Sequence, residues 1–321
     1  MKFLVTGGAG FIGSHLCERL INEGHFVTAI DNFSTGSSAN LGSLSGLNNF
    51  ALVEGSILDS KTLNPLVSEA DYVFHLAAAV GVFNIVRDPL RSLLTNIRGT
   101  ENVFEISQST NTPVFLTSSS EVYGKNISDS LKESDDRILG SPTTLRWSYS
   151  EAKAIDESLA YAYFIEKNLE TRIVRFFNTV GPRQLGAYGM VVPRFVKSAL
   201  SNKPLTIYGN GNQTRCFAHV YDVVDAVMAL AFAENSVGKV INIGNDFEIS
   251  IRDLAQKIID ETGSKSEIVY VPYADAYGDG FEDMERRVPN IELINELVGW
   301  KPMRDLSTII TDISKEMKRN H

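Results

Sequence analysis

Lys2-Phe3-Leu4-Val5-Thr6-Gly7-Gly8-Ala9-Gly10-Phe11-Ile12-Gly13 is the stretch that decides the fold. Its first five residues form a short apolar run suited to a buried strand. From Phe11 to Asn22, Ile12, Leu16, Leu20 and Ile21 recur at helical spacing and predict a helix. Strand, glycine turn and helix together make a cradle for a pyrophosphate. Gly7 permits the tight turn, Gly10 lets the backbone approach the phosphates, and Gly13 lets helix and strand pack closely. The free N–H groups at the helix start then face the anion. A second apolar strand, Phe26 to Ile30, ends in Asp31, 18 residues beyond Gly13. An acid there accepts both ribose hydroxyls and repels a 2′-phosphate, so NAD is expected over NADP.

Working outward, strand-like and helix-like runs alternate through the first half. Ala51-Leu52-Val53 leads to Ile57-Leu58-Asp59, and Tyr72 to Leu76 ends in three alanines. A long amphipathic stretch from Pro89 to Ser109 precedes Val114-Phe115-Leu116. Ala152, Ile155, Leu159 and Tyr163 mark the apolar side of a further helix, and Thr171 to Phe177 supplies another strand. This alternation predicts an α/β fold, a doubly wound parallel sheet covered on both faces, with ligands beyond the carboxyl ends of its strands. From about Gly181 the rhythm loosens. Pro182, Pro193, Pro204 and Gly209-Asn210-Gly211-Asn212 break the chain into short pieces around helical stretches at Val223–Glu234 and Ile251–Thr262 and a strand at Val240–Ile243. These predict a smaller, mixed C-terminal lobe that forms a cleft against the first.

Composition narrows the function. The 321 residues carry a net charge of −9, which argues against general nucleic-acid affinity, so an anionic ligand needs local arginines. Two cysteines and five scattered histidines give neither a disulfide framework nor metal-ligand spacing, and no metal is expected. The apolar N-terminal residues belong to a strand rather than a signal peptide, and no run approaches a membrane span; a cytoplasmic enzyme without membrane contact is expected.

The chemistry centres on Tyr149-Ser150-Glu151-Ala152-Lys153. On a helix, residues four apart share a face. A lysine cation beside the phenol favours phenolate, and Tyr149 then takes a proton from a sugar hydroxyl as hydride leaves the carbon. Thr117-Ser118-Ser119-Ser120 closes a strand-like run where hydroxyls meet the same substrate.

With these residues in view, the chain resembles, nearly end to end, the extended short-chain dehydrogenase/reductase family acting on nucleotide sugars. The resemblance rests on Thr6 to Gly13, Asp31-Asn32, His75-Leu76-Ala77-Ala78 and Asn96-Ile97-Arg98-Gly99-Thr100. It continues through Ser118 to Gly124, Tyr149 with Lys153, Arg175 to Arg183, and Asn212-Gln213-Thr214-Arg215. It implies a Rossmann-type NAD-binding domain over 1–180 and a nucleotide-sugar-binding lobe over 181–321, with some exchange of chain between them. NAD contacts are implied at Gly7, Gly10, Phe11, Ile12, Gly13, Asp31 and Asn32, and further at Ile57, Leu76, Ala77, Ala78, Asn96, Tyr149 and Lys153. Ser119, Tyr149 and Lys153 are the implied catalytic set, joined by Glu121. Ser119, Ser120, Asn178, Arg183, Arg215 and Arg287 are the implied substrate contacts. A homodimer is also implied, through the helices Pro89–Ser109 and Ser150–Lys167, with Val103, Phe104, Ile106, Leu159, Tyr163 and Phe164 as interface residues.

Three departures from the family pattern stand out. Ser56 and Asn290 stand where relatives commonly carry aspartate. Glu121 stands where typical 4-epimerases carry a small or hydroxyl residue, and resembles the pattern of dehydratases and uronate decarboxylases. Oxidation at C4 opens three outcomes: epimerisation, loss of carbon dioxide from a uronate, or dehydration. Ser120 replaces the acid expected of a deoxysugar dehydratase. Arg146-Trp147-Ser148-Tyr149 is similar to UDP-glucuronate decarboxylases, with Arg146 or Arg183 as candidate partners of a substrate carboxylate. The expectation is a UDP-sugar 4-epimerase acting on UDP-glucuronate or a UDP-hexose. The alternative is a UDP-glucuronate decarboxylase, ahead of a 4,6-dehydratase or a non-catalytic NAD-binding protein.

Overall fold

The computed structural model describes residues 1–81, 85, 87–186, 190–272, 275, 284 and 286–319. The glycine-rich stretch folds as read. β1 (Lys2–Thr6) turns through the glycines into α1 (Phe11–Asn22), and β2 (Phe26–Asp31) returns alongside β1 in parallel. Then come β3 (Phe50–Glu54), α2 (Ser60–Ser68), β4 (Tyr72–His75), α3 (Pro89–Thr110) and β5 (Val114–Ser119). The run Ile57-Leu58-Asp59 is not strand: the Asp59 carboxylate accepts the Lys61 N–H at 3.1 Å and caps α2. Next, α4 (Ser148–Lys167) precedes β6 (Thr171–Phe176).

Alternate residues of each strand feed two different cores, as a sheet covered on both faces requires. Phe3, Val5, Phe74 and Phe115 pack with Leu16 and Leu20 of α1. Leu4, Val73, Val114 and Leu116 pack on the other face with Leu63, Val103 and Phe104.

Beyond β6, the short β7 (Thr179–Val180) leads to α5 (Val191–Leu200), β8 (Leu205–Tyr208), β9 (Thr214–Cys216) and β10 (Ala218–His219). α6 (Val220–Ala231) follows and begins three residues before the reading from periodicity. Its start is set by a polar cap rather than an apolar repeat: His219 Nδ1 accepts the Tyr221 N–H at 3.1 Å. The remaining elements are β11 (Val240–Ile243), β12 (Glu248–Ser250), α7 (Ile251–Thr262), β13 (Ile268–Val271), α8 (Glu292–Val298) and α9 (Leu306–Arg319).

The main sheet has the order β11-β6-β5-β4-β1-β2-β3, every neighbouring pair parallel. Strand order reverses between β1 and β4, so their connections leave in opposite directions and open a crevice there. Residues beyond 180 also build this layer. β11 is the edge strand beside β6, and Val223 and Val227 of α6 join the core against α1. The smaller lobe has its own core of Val192, Phe195, Leu205, Ile207, Leu254, Ile258, Ile309 and Ile313, with three two-stranded sheets around it.

Candidate active site

The glycine turn forms one end of the site. Gly7 has φ +69°, and a Cβ there would lie 2.8 Å from the Ala77 amide nitrogen; a Cβ on Gly13 would lie 2.2 Å from the Gly7 carbonyl oxygen. Both positions are closed to any side chain. Gly10 precedes α1 without a side-chain cap, so the N–H groups of the first turn remain available to an anion. At the end of β2, Asp31 accepts the N–H of Ala9 at 3.0 Å and of Phe33 at 2.8 Å. Burial raises its carboxyl above the usual range, against the lowering by these N–H groups and that of Gly10. Uncapped N–H donors and an acid anchored to the same turn fit the pyrophosphate and ribose of NAD.

From this turn a cavity of about 530 Å³ runs past the carboxyl ends of β1, β4 and β5 into the smaller lobe. Gly7, Gly10, Phe11, Ile12, Gly13, Asp31, Asn32, Ile57, Leu76, Ala77 and Ala78 line it, and so do Ser119, Ser120, Glu121, Tyr149, Asn178, Arg183, Arg215 and Arg287. Two residues expected at the cofactor stand behind its wall. Asn96 braces the end of β4, accepting the Ala79 N–H at 2.6 Å. Lys153, 2% exposed, donates to Asp156 at 2.8 Å. Ser56 also lines the cavity, its hydroxyl accepting the Leu58 N–H at 3.2 Å. Asn290 serves the start of α8, where its side-chain oxygen accepts the Glu292 N–H at 3.0 Å.

Glu121 is held through both carboxylate oxygens. Arg146 donates to one of its oxygens and Arg287 to the other, each at 2.6 Å. Burial alone would raise the carboxyl, but the two guanidinium charges and their hydrogen bonds bring it down to about 2. Arg287 also donates to the Asn178 side-chain oxygen at 2.7 Å, so an acid and an amide hold both arms of its fork. Arg183, at φ +69°, donates to Glu18 at 2.7 Å and to Ser14 at 3.2 Å. That ties the turn after β7 to α1. Both candidate partners of a substrate carboxylate are therefore already bonded to protein carboxylates.

Tyr149 hydrogen-bonds with Ser119 at the end of β5. Its phenol stands above the ordinary value, whereas the sequence reading expected it below. Burial is the chief cause; the charges of Glu121 and Asp156 add to it, and the Ser119 bond and Arg287 oppose it. The neighbouring ammonium of Lys153 is paired with a carboxylate, which offsets its pull on the phenol.

Residues overlooked in the sequence also line the cavity. Arg194 of α5 lies with its guanidinium 4.6 Å from the ring centre of Tyr208, and it has no acidic partner among the described residues. Local periodicity placed neither residue, because their contact joins a helix to a strand. Asp156 was legible: with Tyr149 and Lys153 it continues one helical stripe at spacings of four and three. Among the described residues no group of three or more His, Cys, Asp and Glu side chains is placed to hold a metal ion. No described helix is long and apolar enough to cross a membrane.

Comparisons with known proteins give the family. Residues 3–244 match the model of the NAD dependent epimerase/dehydratase family, and the chain belongs to that family. It is 42% identical over 302 residues to UDP-N-acetyl-alpha-D-glucosaminuronate decarboxylase of Bacillus cytotoxicus, covering 94% of this chain and 92% of that one. It is 36% identical to UDP-glucuronic acid decarboxylase 1 of Xenopus tropicalis, over 94% of this chain and 68% of the relative. Among solved structures, UDP-glucuronic acid 4-epimerase from Bacillus cereus, in complex with UDP-glucuronic acid and NAD, superposes over the full length of both chains. The TM-score is 0.88 at 30% identity.

Proposed function

We propose that this NAD-dependent enzyme decarboxylates a UDP-linked uronic acid, with UDP-N-acetylglucosaminuronate as the favoured substrate. One observation in the site carries the reading: Glu121, beside Tyr149, is locked between Arg146 and Arg287. By the family pattern, an acid at this position belongs to decarboxylases rather than 4-epimerases. The 42% identity to a decarboxylase of that substrate over nearly the whole chain supports the same choice. The balance drawn from sequence alone, which put epimerisation first, is thereby reversed. Ser120 in place of a second acid weighs against dehydration.

NAD, held by the glycine turn and Asp31, would supply a reversible hydride acceptor for the C4 hydrogen of the sugar. The positive nicotinamide of bound NAD would favour the Tyr149 phenolate against the burial that opposes it. Tyr149 then takes the proton of the C4 hydroxyl, and Ser119 hydrogen-bonds the same oxygen. The resulting ketone lies β to the C5 carboxylate, so the electrons of the breaking bond flow into the C4 carbonyl as carbon dioxide leaves. Tyr149 and Ser119 then donate to the enolate oxygen that forms, where fixed donors are worth most. A proton from water adds at C5 and restores the C4 ketone, and Tyr149 gives its proton back to the C4 oxygen when the ketone is reduced. Glu121, ionised throughout the working pH range, fixes the Arg146 and Arg287 guanidinium groups on the cavity wall. Asn178, Arg215 and Arg287 receive the diphosphate, whose oxygens suit guanidinium forks.

UDP-N-acetylglucosaminuronate, UDP-glucuronate and UDP-glucose, incubated separately with purified protein and NAD, test this by mass spectrometry and NMR. A uronate losing carbon dioxide is the expected result. An unchanged mass with inverted C4 would establish a UDP-uronate 4-epimerase instead, the reading favoured by likeness to the Bacillus cereus enzyme.

We further propose a homodimer, through a different face of the two helices from the one expected. Val103, Phe104, Ile106, Leu159 and Tyr163 pack toward their own sheet, and Phe164 lies against Gly238. The outward large hydrophobic residues are Leu90 on α3 and Ile155, Tyr161 and Ile165 on α4.

A further inference from the structure

Asp156 is fully buried, and one of its carboxylate oxygens accepts from the Lys153 ammonium at 2.8 Å. Its other oxygen has no hydrogen-bond partner. The carboxylate therefore depends on Lys153 alone, and both charges are shut away from water. Lysine has three donors. One is committed to Asp156, which leaves two to reach a vicinal diol.

Tyr149, Lys153 and Asp156 occupy one stripe of α4, with the acid deepest. We propose that Asp156 is the positioning residue of the active-site lysine: it fixes the ammonium behind Tyr149 and sets the pH at which the phenol gives up its proton. This rests on the reading of Tyr149 as the base.

The charges around the phenol come from several elements. Lys153 and Asp156 share its helix, Glu121 comes from the turn after β5, Arg146 from the turn before α4, and Arg287 from the segment before α8. His75 of β4 is neutral, its pKa lowered to about 3 by burial and by Lys153. The Arg175–Glu157 pair from β6 and α4 is internally balanced at 2.7 Å. Replacing Asp156 by asparagine removes one negative charge from this set. The ionised phenol, now repelled less, becomes easier to form.

The test is an ultraviolet titration of the phenolate, taken as the difference between a protein and its Tyr149→Phe derivative, with and without Asp156→Asn. The expected result is ionisation about one pH unit lower in Asp156→Asn. The acidic limb of the kcat profile should move by the same amount, and NAD should bind more weakly. An unmoved titration, with only a uniform loss of activity, would reduce Asp156 to a structural support and overturn the proposal. Should Asp156→Asn fail to fold, Lys153→Met/Asp156→Leu should fold, because neither charge is left unpaired. A double variant that also fails overturns the pairing. Absence of turnover on every UDP-sugar counts against the functional reading, and the phenol titration still decides the role of Asp156.

Discussion

Glu121 and Arg287, 166 residues apart in the chain, meet at 2.6 Å on the wall of the cavity. Together with Arg146 they hold a carboxylate ionised where burial would otherwise protonate it. The pair joins the end of β5 to the segment before α8, so the same contact shapes the site and ties distant parts of the chain.

Glu121→Gln keeps the shape and removes the charge. It should slow decarboxylation by roughly 10²-fold or more, within the range of a displaced catalytic environment. It should also change acid stability. The folded carboxyl titrates near 2 and the ordinary value is 4.5. Its contribution, on the order of 3 kcal/mol, is therefore complete above the ordinary value and lost as pH falls toward the folded one. Melting curves of the two proteins should converge across that window. A constant difference down to the lowest pH would show that the charge contributes nothing.

Tyr149→Phe should reduce turnover by roughly 10²–10⁴-fold, the usual worth of a general base, with NAD affinity nearly unchanged. Stopped assays and cofactor titration check the two halves. Activity near that of the unmodified protein would mean that another group takes the C4 proton.

Asp31→Asn keeps an acceptor for only one of the Ala9 and Phe33 N–H groups, which bond to different carboxylate oxygens, and loses the charge facing a 2′-phosphate. Calorimetry should show NAD bound roughly tenfold more weakly and the preference over NADP relaxed. Equal affinities for both cofactors in the unmodified protein would sink the prediction.

Arg194→Met should raise KM for the UDP-sugar roughly tenfold, the worth of one charge-assisted hydrogen bond, with little change in kcat. The guanidinium at Tyr208 is a cavity cation without an acidic partner among the described residues, suited to the nucleotide end of the substrate. A fall in kcat at constant KM would instead place it at the reacting sugar.

Light scattering should give a dimer for the unmodified protein and a monomer for Ile155→Asp/Ile165→Asp. These side chains are 47% and 55% exposed, so the change perturbs no core. A monomeric unmodified protein at micromolar concentration would rule the interface out.

The sequence by itself determined the elements whose causes are local. Strand, glycine turn, helix and acid-tipped strand follow from neighbours within a few residues, so α1 and α7 begin and end where their apolar spacing put them. The Tyr149–Lys153–Asp156 stripe is also local, a property of one helix. Only the tertiary structure decided how the charges are spent. Arg146 and Arg287 neutralise Glu121, Arg183 serves Glu18, and Val103 and Phe104 face inward rather than toward a partner. These pairings depend on the order in which the strands lie and on where each connection returns, which periodicity does not encode. Burial then sets the outcome, because a charge removed from water takes its proton affinity from whichever groups the fold has brought beside it.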